Sequence, residues 1–542
     1  MTRRSVRESM PGCIGRSVPV IHVPLWEHTC RTPLKGPYVN PSRLSVMVLT
    51  TFAVVACAQT PAGPPARPDH LLIMVFDQMR PDYIDRFDLK NFKRLRESSR
   101  HYPEAYVGHL GAQTIVSHFV IPTGLAPKDL PWQDDSFIDV EGVMGKPGAA
   151  YDADELTLEE MWRFVERIPR DRFLPARIQD ALGPVFAVGE KDYAAQVFGG
   201  PHAASIVTLE RADGRCRPFG ISVPWYISSN QRFSLECKET FGTDLATIYT
   251  LDGSHFVPGT DPSRAGGDVW TADVALEIMR RERWSGLFLT FGGIDRVAHM
   301  LGEQDGDGLV SVPSEYRLAD MLRIADEQLG RILAELDARG LSERTMIVVT
   351  SDHGGQRHDF YLGNGRSQTC CPYENVPGET EPPYWVRHLN ALGSLKTAYV
   401  DSSITLWLAD SSAANERALT RGLQDISGVT EIYAKRRTGD AYRYEQVYAD
   451  LERQSPQFRS WALRHSAELV DTMAGPSGPD LVALLGDGFG FGRIGGHGGA
   501  QEKVQRIPMI IRVPGEVPST RTEPLRLMDL APEILRVLGL DR

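Results

Sequence analysis

Six continuous apolar runs punctuate the chain: Leu71–Phe76 (LLIMVF), Pro184–Gly189 (PVFAVG), Gly286–Phe291 (GLFLTF), Thr345–Thr350 (TMIVVT), Leu481–Leu485 (LVALL) and Ile507–Val513 (IPMIIRV). They lack the apolar–polar alternation of half-exposed strands. They therefore predict strands buried on both faces, as in a parallel sheet covered by helices. Tyr316–Arg339 shows the other period: Leu318, Leu322, Ala325, Leu329, Ile332 and Leu336 recur every three or four residues, with Gly340 as the stop. The mixture predicts an α/β doubly wound domain with a mostly parallel central sheet flanked by helices. Residues 195–280 and 356–475 show little of this rhythm and are rich in turn residues and aromatics. They are read as insertions forming a cap over the carboxyl edge of the sheet, because structureless loops that long are improbable.

The pattern changes ahead of the first strand. Leu44–Ala58 (LSVMVLTTFAVVACA) is apolar for 15 residues, follows Arg43 and precedes a Pro-rich linker at 59–68. Such a run is too short to span a bilayer and suits a secretory signal. Two cleavage readings stay open. Val54–Cys57 resembles a bacterial lipoprotein box that would leave a lipidated Cys57 as membrane anchor. Ala56–Ala58 resembles an ordinary A-x-A site that would release a soluble protein. The expectation is a leader over 1–58 and a catalytic domain over 69–542, exported to a bacterial periplasm, anchored to the membrane or secreted.

Composition narrows the class. The chain has 542 residues with 42% hydrophobic and 24% charged, which excludes collagenous, coiled-coil and wholly disordered chains. The formal net charge of −11 divides into +5 over residues 1–58 and −16 over the rest. A body that acidic is a poor binder of nucleic acid, since phosphate neutralisation needs Lys and Arg. Seven cysteines stand at 13, 30, 57, 216, 237, 370 and 371 without Cys-x-x-Cys spacing, which leaves out a zinc ribbon. In an exported chain disulfides are permitted, and Cys216 with Cys237 would close a modest loop.

The chemistry lies just after the strands. Asp77 ends LLIMVFD, Asp295 follows GLFLTFGGI and Asp352-His353 follow TMIVVTS. Ligands of open α/β sheets bind at the carboxyl ends of the strands. Three carboxylates converging there would repel one another without a cation. His299 lies four residues after Asp295, on the same face of a helical turn. His497 sits in Gly495-Gly496-His497-Gly498-Gly499, where the backbone can approach an ion closely. Singly, a strand-end Asp is an ordinary cap or turn former. Together, Asp and His in this mixture suit Zn²⁺.

The segment GAQTIVSHFVIPTG (111–124) completes the set with Thr114, His118 and Thr123-Gly124. With it the chain resembles the alkaline phosphatase superfamily, and more narrowly the type I phosphodiesterase/nucleotide pyrophosphatase branch and the phosphate-irrepressible alkaline phosphatases near it. The matching words are VFDQMRPDY (75–83), T-x-x-x-H-x-x-x-x-T-G (114–124), EKDY (190–193), GGIDRVAHMLG (292–302), TSDHGG (350–355), GGHGG (495–499) and the tail 507–540. The resemblance implies two zinc ions. Asp77, Asp352 and His353 would hold one together with the Thr114 hydroxyl. Asp295, His299 and His497 would hold the other. It further implies Thr114 as nucleophile, a phosphothreonine intermediate, and a small-molecule phosphoester as substrate. His118 is expected to be a satisfied structural histidine.

Two departures bear on substrate. The monoesterase branch uses a Lys and an Arg two residues apart to bind phosphate. Here Lys191 is present, but Tyr193 stands at the Arg position. That branch also places an Asn about twenty residues after the nucleophile, where this chain offers Gln133, Asp134 and Asp135. Lys191, Tyr193 and Asp135 are thus the expected substrate contacts. An alkaline phosphatase acting on monoesters is the first reading and a phosphodiesterase/nucleotide pyrophosphatase the alternative. An inactive exported metal or phosphate binder is a remote third, opposed by the intact ligand set. A sulfatase would need a Cys or Ser in C/S-x-P-x-R, which Q-T-I-V-S lacks.

Overall fold

The computed structural model describes residues 67–541 except 213–214, 234, 237–265, 301–313, 359, 362–383 and 492–494. The leader with Cys57, and Cys237, Cys370 and Cys371, lie outside the described residues. Cys216 is disulfide-bonded. Among the described residues no helix is long and apolar enough to cross a membrane.

A ten-stranded sheet runs through the molecule. Five neighbouring strands at its centre, Thr345–Thr350, His70–Phe76, Gly286–Phe291, Val185–Gly189 and Ser205–Ala212, are all parallel. Each continuous apolar run is explained by what covers it. Leu72, Met74 and Phe76 face one core, packed by the helices Gly267–Arg281 and Ser314–Ala338. Leu71, Ile73 and Val75 face the other, packed by Thr114–Thr123, Leu174–Ala181 and Leu530–Leu538. Strand residues alternate in direction, so a strand wetted on neither face must be apolar at every position.

Three expectations need correction. The run 507–513 forms the strand Met509–Arg512, which pairs antiparallel with Thr345–Thr350. The run 481–485 lies outside the central sheet altogether. It is the middle strand of a second, five-stranded antiparallel sheet with Leu395–Val400, Ser403–Leu408, Val429–Thr438 and Ala441–Ala449. Leu481, Ala483 and Leu485 face one core and Val482 and Leu484 another. A covered antiparallel strand therefore carries the same unbroken apolar signature as a parallel one. The stretch 195–280 is only in part an insertion. Ser205–Ala212 and Arg215–Ile221 extend the central sheet, and the helix Gly267–Arg281 covers one of its faces. The polar residues of SIVTLERA, near the sheet's edge, hide that strand from a search for apolar runs.

The aromatic ring of Phe288 is fully buried and packs on Phe198 at 5.0 Å between ring centroids. Phe288→Ala should lower the unfolding free energy by about 3–5 kcal/mol, the range for emptying a packed aromatic site. Urea unfolding at equilibrium checks this, and a loss below about 1 kcal/mol would show that the core is looser than its burial states.

Candidate active site

Four adjacent parallel strands deliver the functional side chains to one edge. In sheet order, Thr345–Thr350 is followed by Asp352-His353, His70–Phe76 by Asp77, Gly286–Phe291 by the helix bearing Asp295, and Val185–Gly189 by Lys191. Asp77, Asp295, Asp352, His353, His497, Thr114 and Lys191 are all buried. Thr114 opens the fully buried helix Thr114–Thr123, which ends on Gly124 at φ +65°. His299 lies on the same helix, Gly293–Met300, as Asp295. Its side chain lies outside the described residues.

Two groups of ligand atoms form. Asp77, Asp352 and His353 make one, and Asp295, His353 and His497 the other. In the first, His353 Nε2 lies 3.4 Å from Asp77 Oδ1, 3.5 Å from Asp352 Oδ2 and 3.4 Å from Thr114 Oγ1. In the second, His497 Nε2 lies 3.4 Å from Asp295 Oδ1. Ligands about 2.0–2.1 Å from a tetrahedral zinc stand about 3.3–3.5 Å from one another, so these separations fit a shared ion. The His353 Nδ1 hydrogen is donated to the Gly354 carbonyl at 2.9 Å, which leaves Nε2 bare for a metal. Burial holds this imidazole below its ordinary pKa. The rings of His353 and His497 stack with centroids 3.9 Å apart, which explains why His353 falls within reach of both groups. With a single bare nitrogen it can serve one ion at a time, and it lies within reach of either group.

Orphaned oxygens point the same way. Asp77 Oδ1 has no hydrogen-bond partner. Asp352 Oδ2 likewise has no hydrogen-bond partner: His353 Nε2 stands 3.5 Å away, and His118 Nδ1, at 3.4 Å, has its hydrogen held by the Thr114 carbonyl at 2.8 Å. Buried polar atoms are rarely left this way unless something else is meant to meet them. Burial, then the charges of Asp295 and Asp352, push the Asp77 carboxyl well above its usual range. Burial acts on Asp352 in the same direction, but His353 and His118 hold it below the usual carboxylate range.

The loops are tied to one another by the backbone. Gln78, at φ +59°, donates its N–H to Asp352 Oδ1 at 3.2 Å, and Met79 donates to Ser351 Oγ at 2.9 Å. A side chain in that left-handed region persists only where its surroundings fix it. A Cβ on Gly355 would lie 2.0 Å from the Gln78 amide, which accounts for the second glycine of SDHGG. The His497 loop is held from three sides. Gly495–Gly496 pairs with Gln356–Arg357, Gly498 donates to the Ala112 carbonyl at 3.1 Å, and the turn of the second sheet grips the rest. There the Ser402 N–H donates to the His497 carbonyl at 3.1 Å and Ser403 Oγ to the Gly498 carbonyl at 2.7 Å. His358 Nε2 meets Ser402 Oγ at 3.0 Å. Sequence reading missed this grip, because nothing in VDSSI (400–404) distinguishes it from any hairpin turn.

The expected substrate contacts are placed as follows. Lys191 Nζ donates to Asp77 Oδ2 at 2.5 Å and Asp295 Oδ2 at 2.7 Å, and stands 3.5 Å from Thr114 Oγ1. Burial would lower its pKa, but Asp295 and Asp77 raise it well above the ordinary value, so it is an ammonium. Tyr193 is half-buried and packs against the core that holds the Thr114 helix. Asp135 Oδ2 accepts from the Tyr399 hydroxyl at 3.4 Å. Its neighbour Asp134 is the more buried of the two, and burial pushes it up to about 7. His118 is fully buried, with Nδ1 on the Thr114 carbonyl and Nε2 on Thr290 Oγ1, each at 2.8 Å.

The sequence matches the family model for type I phosphodiesterase/nucleotide pyrophosphatase over residues 71–454. The chain therefore belongs to that family, and it is a phosphoester hydrolase. None of the curated proteins matches it. Among solved structures it is similar to wild-type alkaline phosphatase PafA, with 13% identity, 88% of this chain and 97% of the other covered, and a TM-score of 0.55. A PafA variant with four substitutions gives a TM-score of 0.57 at the same identity and coverage. Murine ectonucleotide pyrophosphatase/phosphodiesterase 5 gives 0.47 at 12% identity, covering 87% of this chain and 95% of its own. At these identities the PafA likeness speaks for the fold.

Thr290→Val keeps the shape of the side chain and removes the hydroxyl on His118 Nε2. It should cost about 1–3 kcal/mol of stability, the range for leaving a buried polar atom unpaired. Calorimetry with parallel metal analysis checks this. A loss of metal without a loss of stability would mean that His118 is a ligand and not a support.

Proposed function

We propose that this member of the type I phosphodiesterase/nucleotide pyrophosphatase family is an exported, zinc-dependent hydrolase that works through a phosphothreonine on Thr114, with phosphate monoesters as its preferred substrates. The observation that carries the proposal is the convergence of Asp77, Asp352 and His353, and of Asp295 and His497, beside the Thr114 hydroxyl. Asp77, Asp352, His353 and Thr114 would hold one ion, and Asp295, His299 and His497 the other. Two zinc ions so held would neutralise phosphoryl charge and acidify the bound hydroxyl and water.

The chain's own groups do the rest. Thr114 Oγ attacks phosphorus, the Thr114 Oγ–P bond forms and the bond to the leaving oxygen breaks. Water then attacks the same phosphorus, and the threonine oxygen leaves as inorganic phosphate is released. Placement at the first position of a ten-residue helix puts Thr114 at the positive end of the dipole, where an incoming anion is favoured. His118, bonded to the Thr114 carbonyl, fixes that first turn. Lys191 is assigned to the phosphoryl oxygens, supported by its 3.5 Å separation from Thr114 Oγ1, with Tyr193 and Asp135 as further contacts. A diesterase is the second reading. It is favoured by Tyr193 at the position where the monoesterases carry a second cation, since a diester brings one negative charge to the site and a monoester two. Export, through signal cleavage or a lipidated Cys57, is supported by the apolar run 44–58.

Two experiments test the proposal. The isolated protein should contain about two zinc ions per chain; chelation should abolish hydrolysis and zinc restore it. Absence of bound transition metal, with activity indifferent to chelator, would refute the assignment. Thr114→Ala should remove nearly all hydrolysis and leave zinc content largely intact, whereas Thr114→Ser should keep substantial activity. Matched aryl monoester and diester substrates, run on both variants and the parent, decide between the two readings. Wild-type turnover by the alanine variant would require another nucleophile.

A further inference from the structure

Each of two aspartates divides its oxygens in the same way. Asp77 turns Oδ1 toward His353 and gives Oδ2 to Lys191, and Asp295 turns Oδ1 toward His497 and gives Oδ2 to the same ammonium. These carboxylates belong to different ligand groups. A single buried side chain therefore spans both groups without filling either one. We propose that Lys191 is the resident counter-ion of the metal-free site, a tethered cation that keeps the buried carboxylates together and aimed at the histidines until metal arrives. The proposal rests on the two-metal reading above for what arrives, but its first test does not.

The charges make the argument. Asp77, Asp295 and Asp352 are fully or almost fully buried within one cluster, and burial is costly for each ion unless it is paired. Lys191, tied to two of the three at 2.5 and 2.7 Å, leaves the metal-facing Oδ1 atoms unbonded to it. Once two divalent ions are bound the balance reverses, and the ammonium becomes one positive charge too many. It then opposes the metals electrostatically. Its weakened hold on the aspartates would free it for a phosphoryl oxygen near Thr114. The counter-ion role thus carries a definite sign: Lys191 should stabilise the metal-free protein and weaken metal binding. A residue that merely orients ligands would strengthen metal binding.

The experiment uses Lys191→Met, which keeps the length of the stem and removes the charge. Metal-stripped Lys191→Met should melt several degrees below metal-stripped wild type. Zinc, titrated against a competing chelator, should bind the variant roughly tenfold tighter or more, as expected when a like charge a few ångströms away is removed. Lys191→Arg should restore the melting temperature. If Lys191→Met alone does not fold, the double variant Asp77→Asn/Lys191→Met should recover part of the loss, because it removes an unpaired carboxylate together with its partner. An unchanged melting temperature in the stripped Lys191→Met variant, weaker zinc binding by it, or simply additive losses in the double variant would each overturn the proposal. A wild-type protein that binds no zinc would refute the two-metal reading, and the melting comparison would still decide the role of Lys191.

Discussion

Three carboxylates that cannot stay close together without a cation set the terms for this structure. The sheet brings Asp77, Asp295 and Asp352 to one buried edge, where mutual repulsion and lost hydration both act against the charged forms. Proteins accept such an arrangement where function demands it, and the surroundings show the demand being met. Lys191 bridges two of the three, His353 offers a bare nitrogen, and the third acid lies beside His118. The carboxylates are thus arranged around the positive charge of Lys191.

Holding those groups in place requires the rest of the fold. Parallel strands fix the three acids and Lys191 at neighbouring positions, and the loops are cross-tied by backbone donors to Asp352, Ser351 and Ala112. The second sheet has a share in this as well. Its hairpin turn at 400–403 binds the loop of His497 through Ser402 and Ser403. Residues far from the chemistry in sequence thereby decide where one of its imidazoles stands.

Much of this was legible in the sequence. The four central strands show as unbroken apolar runs, because burial on both faces leaves no polar position, and the long helix, found at Ser314–Ala338, shows as apolar residues every three or four positions. Asp77, Thr114, Asp295, Asp352, His353 and His497 stood out through their place after those strands and through short motifs. What was hidden had no local mark. Leu481–Leu485 reads like its parallel counterparts since both are covered on both faces, and only pairing partners tell them apart. Ser205–Ala212 carries polar residues near the edge of the sheet. Lys191 was visible as a cation near phosphate, but its bond to two aspartates more than a hundred residues away depends on tertiary placement.

The central claim is that these side chains form a two-metal clamp around Thr114. Anomalous diffraction recorded on either side of the zinc absorption edge tests it most directly, on crystals of the protein as isolated. The account predicts two zinc peaks per chain, one among Asp77, Asp352, His353 and Thr114, the other at Asp295 and His497. A map without a peak at either place, in a protein that hydrolyses phosphoesters, would contradict it.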